Sequence, residues 1–267
     1  MIVDFHSHTL QSDGTLSAAA LLDAMLSRGV CVCSITDHDT LAAYDGLKVP
    51  SGIRVVPGIE INTTYENNEV HILGYGLALD DANLARVLQN NRGARRVRIQ
   101  QMVAQLQSVG YGITFEQVVA ESNGGQSLGR PHVGKALLRN GHVNDIETAF
   151  QTLLRRGKPG YVPAHHIAPQ EAIDAIEASG GVAVLAHPCR LENYELIDTF
   201  AARGLRGLEV FYPAHEPAHV QYFRDKAKHL KLVMTGGSDF HDIRYHRGGV
   251  GMEVEAGDIE PFLELVA

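Results

Sequence analysis

Several short apolar runs in this chain end in histidine or carboxylate side chains, and this pattern strongly limits the folds available to it. Each run has the length and composition of a buried strand. The side chains at or just beyond the ends of the runs are His6, His8, His38, Glu60, His187, Asp239 and His241. Because parallel α/β barrels build their active sites at the carboxyl ends of the strands, the pattern predicts a barrel with metal-ligand side chains at its mouth.

Strand-like and helix-like segments alternate over most of the chain. Strands are predicted at 2–5, 30–36, 54–61, 70–75, 182–186, 207–211 and 232–235. Helices are predicted at 17–28, 171–178, 194–203 and 217–230. This alternation is typical of βαβ units that form a mostly parallel sheet or barrel.

The middle of the chain has a different pattern. Helices are predicted at 83–109, 131–139 and 144–155, and Thr114 to Gln117 fit a capping box that opens another helix. We therefore predict a barrel domain formed by residues 1–80 and 158–267. A helical insertion over residues 81–157 interrupts it and is expected to cap the substrate.

The ligand-type side chains favour a metal-dependent hydrolase. Strand side chains alternate with a period of two, so His6 and His8 project from the same face, as do Asp239 and His241. Imidazole and carboxylate ligands suit zinc, manganese or iron, and a carboxylate such as Glu60 can bridge two ions. A single H-x-H motif is a weak signal, but several convergent ligand-type residues mark a site.

The charge of the chain narrows the choice of partner. The formal net charge is -8 at pH 7, which disfavours non-specific binding to duplex DNA and leaves a small phosphorylated nucleotide possible. The start of the chain lacks the pattern of a signal peptide, and no apolar run is long enough for a membrane span. We expect a cytoplasmic protein without a membrane partner.

The motifs DFHSHT, TDHDT, PGIE, AHP and GSDFH follow one another in the chain. In this order they resemble the motifs of the PHP family, named for polymerase and histidinol phosphatase domains, over residues 4 to 241. The resemblance implies a distorted (β/α)7 barrel that holds up to three divalent metal ions. Mn²⁺ is the expected ion, with Zn²⁺, Fe²⁺ or Mg²⁺ as alternatives.

The resemblance also implies which residues hold each ion. The first ion would be held by His6, His8, Glu60 and Asp239, the second by Glu60, His71 and His187, and the third by Asp13, His38 and His241. Asp13 departs from the family pattern, because some members have histidine at this position. The occupancy of the third ion therefore depends on this substitution.

The helical insertion supplies a candidate phosphate site. Arg130 precedes a helix start marked by Pro131, and a helix N-terminus beside an arginine suits an anion. Arg190 lies three residues beyond His187, and arginine suits phosphate. We predict that Arg130 and Arg190 contact a substrate phosphate that is not cleaved, and that His132 and Lys135 also contact the substrate. The basic run Arg92, Arg95, Arg96 and Arg98 is interpreted as a solvated helix face.

The GRPH segment resembles a branch of stand-alone PHP phosphoesterases that act on nucleoside 3′,5′-bisphosphates. The resemblance implies hydrolysis of the 3′-phosphate to give the nucleoside 5′-monophosphate and phosphate. Glu60 would help to hold the ions, and His132, His241 or a water molecule on an ion would protonate the leaving oxygen. Three alternatives stay open: a 5′-to-3′ exoribonuclease on short 5′-phosphorylated oligonucleotides, a phosphatase of the histidinol-phosphate type, and a module that binds nucleotides without catalysis.

Overall fold

The computed structural model of the protein describes residues 1–66, 68–242 and 249–267. Nine strands in this part of the chain form two sheets. The first sheet has the order β3 (Arg54–Val55), β2 (Val32–Cys33), β1 (Ile2–Asp4) and β9 (Met252–Glu253). The second has the order β4 (Gly58–Tyr65), β5 (Asn68–Tyr75), β6 (Val182–Leu185), β7 (Gly207–Phe211) and β8 (Val233–Gly236). The fold is thus a mixed α/β fold, as predicted at that level.

The strand pairs are partly parallel and partly antiparallel. β1/β2, β2/β3, β6/β7 and β7/β8 are parallel, whereas β1/β9, β4/β5 and β5/β6 are antiparallel. β4 and β5 follow each other directly in the chain, and such strands pair antiparallel because no crossover is needed. This hairpin, which the sequence pattern did not predict, carries Glu60 and His71 on adjacent strands.

Contacts between the two sheets occur at the positions of ligand-type residues. His38 forms a parallel bridge with Glu60, and Ser7 forms one with Phe240. Asp239 also donates its backbone N–H to the carbonyl of His6 at 2.7 Å. These contacts bring the ends of β1, β2, β4 and β8 together. The closed (β/α)7 barrel itself stays a prediction.

Several predicted elements are confirmed with small changes of boundary. The helices are α1 (Ala18–Ser27), α2 (Ala82–Ser108), α3 (Phe115–Ala120), α4 (Arg130–Arg139), α5 (Ile146–Ala149), α6 (Pro169–Ala178), α7 (Leu196–Ala201), α8 (Pro217–Leu230) and α9 (Ala256–Leu265). Thr114 and Gln117 form the expected capping box of α3. The single strand predicted at 54–61 is wrong, because β3 ends before Pro57, which has no N–H to continue the ladder.

The helices between β5 and α6 have a core of their own. Ile99, Met102 and Leu106 of α2 pack with Val133 and Leu137 of α4 in a buried cluster. A π-helical turn at Phe150–Leu154 follows α5 and belongs to the same cluster through Leu153 and Leu154. The predicted domain limits at 80/81 and 157/158 stay a prediction.

The main core lies between the sheets and the helices that cover them. Helix α9, which the sequence pattern did not predict, places Phe262 against Phe5 and Tyr75, with ring centroids 4.8 and 5.1 Å away. All three side chains are fully buried. Within the described ranges, no helix has the length and apolar character that crossing a membrane requires.

Candidate active site

Glu60 lies at the centre of the ligand-type residues, and its carboxylate contacts side chains from several parts of the chain. Its Oε2 is 3.0 Å from His38 Nδ1 and 3.2 Å from both His6 Nε2 and His8 Nε2. Glu60 is 1% exposed. One buried carboxylate oxygen therefore faces three imidazole nitrogens.

The other oxygen of Glu60 faces two more imidazoles. Oε1 is 2.7 Å from His71 Nδ1 and 3.2 Å from His187 Nε2. His71 projects from β5 beside β4, and its Nε2 lies 3.0 Å from the amide nitrogen of Asn62. His187 follows β6. The two oxygens of Glu60 thus contact five histidines from four segments of the chain. This geometry suits a carboxylate between two cations.

Asp239 and Asp13 add two carboxylates to this cluster. Asp239 Oδ1 lies 3.3 Å from His6 Nε2 and 3.2 Å from His8 Nε2. Asp13 Oδ1 lies 3.3 Å from His241 Nε2, and its Oδ2 lies 3.8 Å from His38 Nε2. Both carboxylates are buried. All nine side chains predicted as metal ligands therefore lie in one continuous cluster.

Three groups in this cluster bring their ligand atoms within 4.8 Å of one another. The groups are His6, His8, Glu60 and Asp239; His38, Glu60 and His71; and His8, Asp13, His38 and His241. The first has the membership expected for the first ion. The second contains His38 where His187 was expected, and the third contains His8 in addition to the expected residues. The residue-by-residue assignment to ions stays a prediction.

The donor atoms fit divalent cations. Among the described side chains, His6 Nε2, His38 Nδ1, Glu60 Oε2 and Asp13 Oδ1 are buried without a hydrogen-bond partner. Buried polar atoms without partners are costly, and several that converge on one point indicate a binding site for an ion or ligand. Imidazole nitrogen and carboxylate oxygen are ligands for zinc, manganese or iron.

The pKa values show how strongly the cluster attracts positive charge. Burial opposes the charged form of His8, but Asp239 and Glu60 raise its pKa to about 10. Burial also opposes ionisation of Glu60, yet His38, His6 and His71 hold its pKa well below the ordinary value. Burial lowers the pKa of His187 to about 3. Protons and metal ions compete for the ring nitrogens of His8, so metal binding there is expected to release a proton, whereas the His187 ring is already neutral.

A cavity of about 310 Å³ opens onto the cluster. Its lining includes Glu60, Asp239 and His241 together with four arginines, and these arginines are Arg95, Arg98, Arg130 and Arg190. The predicted phosphate contacts Arg130 and Arg190 thus lie at the same cavity as the cluster. A cavity of this kind combines a metal-ligand cluster with cationic groups that suit an anionic substrate.

The interpretation of the arginine run as a solvated face is wrong for Arg95 and Arg98. Both are buried, and because they are three residues apart they lie on the same face of α2, directed at the cavity. Arg96 is exposed, as expected. The signal that could have revealed the buried pair is helical spacing. Asn91, Arg95, Arg98 and Met102 follow one another at intervals of four, three and four residues, as residues on one face of a helix do, and all four are buried.

Arg98 and Arg130 meet at one carboxylate. Glu69, on β5, lies 2.6 Å from Arg98 Nη2 and 3.0 Å from Arg130 Nη2. Although burial raises the pKa of Glu69, the two arginines lower it to about 2. Arg190 instead lies 3.0 Å from Asp239 Oδ2 and also contacts the hydroxyl of Tyr212. Arg98 and Arg130 therefore lie beside Glu69, whereas Arg190 lies beside the metal-ligand cluster.

His132 and Lys135 are not among the residues that line the first cavity, unlike Arg130 and Arg190, which were predicted with them. His132 is fully buried, and its Nδ1 accepts a hydrogen bond from the Gly129 N–H at 2.9 Å at the start of α4. Burial lowers its pKa to about 4. Lys135 lines a second cavity of about 500 Å³, which shares Asp13 and His241 with the first. The substrate contacts of His132 and Lys135, and the catalytic role of His132, stay predictions.

The sequence pattern missed one buried carboxylate behind the cluster. Glu209, in the middle of β7, accepts from His6 Nδ1 at 3.0 Å and from the His187 N–H at 2.6 Å. Burial raises its pKa. The signal that could have revealed it is a glutamate inside the otherwise apolar strand GLEVF, since a buried charge requires partners.

Comparisons with known proteins agree with this site. No family model matches the chain. It is 32% identical over 247 residues to the 3′,5′-nucleoside bisphosphate phosphatase of Chromobacterium violaceum. The aligned region covers 90% of this chain and 87% of the relative. It is 33% identical over 251 residues to the 5′-3′ exoribonuclease Rnm of Escherichia coli, which covers 90% of this chain and 85% of the relative.

Two solved structures share the fold over nearly the whole chain. An amidohydrolase from Chromobacterium violaceum, with bound sulfate and no metal, has a TM-score of 0.90 at 29% identity, covering 98% of this chain and 95% of that one. A protein from Bifidobacterium adolescentis described as a metal-dependent phosphoesterase has a TM-score of 0.88 at 30% identity, with the same coverage.

Proposed function

The chain belongs to the PHP family and is a hydrolase of phosphoric esters, and from this premise we propose that it removes the 3′-phosphate of nucleoside 3′,5′-bisphosphates. The products are the nucleoside 5′-monophosphate and phosphate. One observation carries the proposal: a single cavity is lined both by residues of the metal-ligand cluster and by Arg98 and Arg130. A substrate with two phosphates can place one at each.

The proposed cofactors are divalent ions, up to three, with Mn²⁺ first and Zn²⁺, Fe²⁺ or Mg²⁺ as alternatives. The nine residues of the cluster would hold them, with Glu60 shared between groups through its two oxygens. Bound divalent ions lower the pKa of a water molecule and neutralise charge on a phosphate that is being cleaved. The protein supplies the positions of the ligands and the shape of the cavity.

The arginines divide the recognition of the two phosphates. Arg98 and Arg130 are proposed to bind the 5′-phosphate, replacing the contact that each makes with Glu69. Arg190, which was predicted at the phosphate that is not cleaved, lies beside Asp239 and is instead proposed to contact the 3′-phosphate that is cleaved. Arginine suits both positions because its planar donors match phosphate oxygens.

Two histidines were candidates to protonate the leaving 3′-oxygen. His241 lines the cavity, and its side chain is 30% exposed. His132 is fully buried, and its Nδ1 already accepts from the backbone of Gly129. We therefore favour His241 over His132 as the group that protonates the leaving oxygen. This role applies when only the first two ions are bound, because His241 would otherwise help to hold the third ion.

The test is release of phosphate from adenosine 3′,5′-bisphosphate by Mn²⁺-loaded protein, with 3′-AMP as a matched substrate that lacks the 5′-phosphate. We expect turnover of the bisphosphate to 5′-AMP and loss of activity on both substrates in His8→Ala. In Arg130→Gln, the preference for bisphosphate over 3′-AMP should fall at least about tenfold, as expected for one lost charged contact to phosphate. No release from the bisphosphate by active protein would reject this substrate.

A second candidate activity, 5′-to-3′ hydrolysis of short 5′-phosphorylated RNA, is favoured by the second cavity. This cavity adjoins the first at Asp13 and His241 and carries Lys135 and Arg155, which suit the backbone of a following nucleotide. Release of 5′-mononucleotides from a short RNA, weakened by Lys135→Gln and Arg155→Gln, would support it. Activity on simple monoesters alone would instead favour a phosphatase of the histidinol-phosphate type.

A further inference from the structure

We infer that Glu209 is a positioning residue that fixes His6 and His187, on the two sides of Glu60, from behind the metal-ligand cluster. The inference rests on the proposed metal-binding role of these histidines. Glu209 is not among the residues that line the cavity of about 310 Å³. It acts through hydrogen bonds to two proposed ligands.

The first contact determines which nitrogen of His6 is free to bind a cation. Glu209 is 0% exposed, and its Oε1 lies 3.0 Å from His6 Nδ1. When His6 Nε2 holds a cation, Nδ1 is the nitrogen that carries the ring hydrogen, and it donates that hydrogen to Glu209 Oε1. His6 Nε2 in turn lies 3.2 Å from Glu60 Oε2 and 3.3 Å from Asp239 Oδ1. The Glu209 contact therefore selects the tautomer of His6 that can act as a ligand.

The second contact holds His187 in an unusual backbone conformation. His187 has φ 26° and ψ 63°, in the left-handed region that residues other than glycine rarely adopt. Its N–H donates to Glu209 Oε2 at 2.6 Å at the point where β6 has ended. In this conformation His187 Nε2 lies 3.2 Å from Glu60 Oε1. The hydrogen bond thus supports a strained backbone that brings the ring to the cluster.

Together the two contacts place the His6 and His187 rings between two carboxylates. Glu60 lies on one side, with Oε2 near His6 and Oε1 near His187, and Glu209 lies on the other. The two rings are stacked, with centroids 5.7 Å apart and an interplanar angle of 29°. A change at Glu209 should therefore disturb the ligands on both oxygens of Glu60 at once.

Substitution of Glu209 by glutamine distinguishes this positioning role from a role in core packing alone. Glutamine has nearly the same shape but offers one acceptor and one donor group. If its oxygen accepts from His6, its NH2 faces the His187 N–H. If its oxygen accepts from His187, its NH2 donates to His6 Nδ1 and moves the ring proton to Nε2. One contact is lost in either orientation, and we expect Mn²⁺ affinity to fall about 10- to 100-fold, as for outer partners of metal ligands.

The experiment measures Mn²⁺ affinity by calorimetric titration and uses long-range ¹H–¹⁵N NMR of the Zn²⁺-loaded protein to find which ring nitrogen of His6 carries the hydrogen. Glu69→Gln is the matched control, because it also removes one carboxylate charge near the cluster. Glu69 forms its salt bridges with Arg98 and Arg130 and not with a ligand histidine. We expect the Nδ1–H form of His6 in the wild-type protein. Weakened Mn²⁺ binding and a changed tautomer mixture are expected in Glu209→Gln alone.

Two results would overturn the inference. One is an Nε2–H tautomer of His6 in the Zn²⁺-loaded wild-type protein, a measurement that does not depend on whether any variant folds. The other is a folded Glu209→Gln protein whose Mn²⁺ affinity matches that of Glu69→Gln. Neither measurement uses substrate, so a protein that binds Mn²⁺ as described but hydrolyses no phosphoester would refute the proposed function and leave this inference standing.

Discussion

Arg95 Nε donates to Asp39 Oδ2 at 2.6 Å, and this contact joins the long helix α2 to the loop that carries His38. Both side chains are buried. Arg95 also donates to the Leu128 carbonyl at 3.1 Å and contacts the side-chain oxygen of Asn62, which lies beside His71. One guanidinium therefore connects the helical region to two parts of the metal-ligand cluster.

Replacement of Arg95 by methionine should strongly destabilise the protein. The change leaves the buried carboxylate of Asp39 without its cationic partner, which typically costs about 3–5 kcal/mol. Chemical denaturation measures the free energy of unfolding. Arg86→Met is the control, because Arg86 is exposed on the same helix and donates a hydrogen bond to the side chain of Asn83. Equal stabilities of the two variants would show that the Arg95–Asp39 pair does not hold α2 in place.

Replacement of Glu69 by glutamine should improve binding of the bisphosphate. Glu69 pairs with Arg98 and Arg130, so a substrate phosphate has to displace its carboxylate. Removing that charge should lower KM by about three- to tenfold, and tenfold corresponds to about 1.4 kcal/mol. Steady-state kinetics on adenosine 3′,5′-bisphosphate measures the change. Glu192→Gln, which affects an exposed pair with Arg156, should leave KM unchanged. A raised KM in Glu69→Gln would mean that Glu69 positions the arginines rather than competing with phosphate.

Removal of divalent ions should lower both activity and stability. The cluster concentrates imidazoles and carboxylates in a buried volume, so ions that bind only the folded state stabilise it. At free ion concentrations about 1,000 times Kd the stabilisation is about 4 kcal/mol. Thermal unfolding with chelator and with added Mn²⁺ measures the difference, and His8→Ala should reduce it. An unfolding temperature that is the same with and without Mn²⁺ would contradict ion binding at this cluster.

His166 should make the stability of the protein depend on pH. Burial lowers the pKa of His166 to about 3 from 6.5, and its two ring nitrogens are buried without a hydrogen-bond partner among the described residues. Between these pKa values the unfolded chain binds a proton that the folded chain does not. The stability contribution is therefore fully present above pH 6.5 and is lost as the pH falls towards 3.

His166→Phe should flatten this dependence. The slope of the unfolding free energy against pH should decrease by up to about 1.4 kcal/mol per pH unit within the window, measured by urea denaturation. His229→Phe, at an exposed position, is the control and should keep the wild-type slope. An unchanged slope in His166→Phe would show that the ring accepts a proton as readily in the folded protein as in the unfolded chain.

Helix α9 should contribute substantially to the stability of the main core. Phe262 packs against Phe5 and Tyr75 at centroid distances of 4.8 and 5.1 Å. Phe262→Ala should cost about 3–5 kcal/mol, as large-to-small changes in a packed core do. Leu265→Ala, at a position 43% exposed on the same helix, should cost far less. Similar losses in the two variants, measured by chemical denaturation, would mean that α9 does not seal this core.

Local patterns in the sequence were sufficient to place many elements and the ligand-type residues on them. The strand Gly207–Phe211 and the helix Pro217–Leu230 have the predicted limits, because each combines a clear periodicity with a nearby glycine or proline boundary. His6 and His8 lie on one face of the extended chain as the period of two requires. The hairpin of β4 and β5 and helix α9 were missed, because their boundary signals are weak and tertiary packing determines them.

The sequence by itself determined that ligand-type side chains end several strands, since that depends only on local periodicity. Which of them share an oxygen of Glu60 was decided by the tertiary structure, because these contacts join separate strands and loops, and His187 lies 127 positions from Glu60. The same is true of Arg95, Arg98 and Glu209. The sequence pattern can indicate that such a side chain is buried, but it does not identify the partners of that side chain. Only the packing of α2 and β7 against the site turns these side chains inward and provides the partners that make their burial possible.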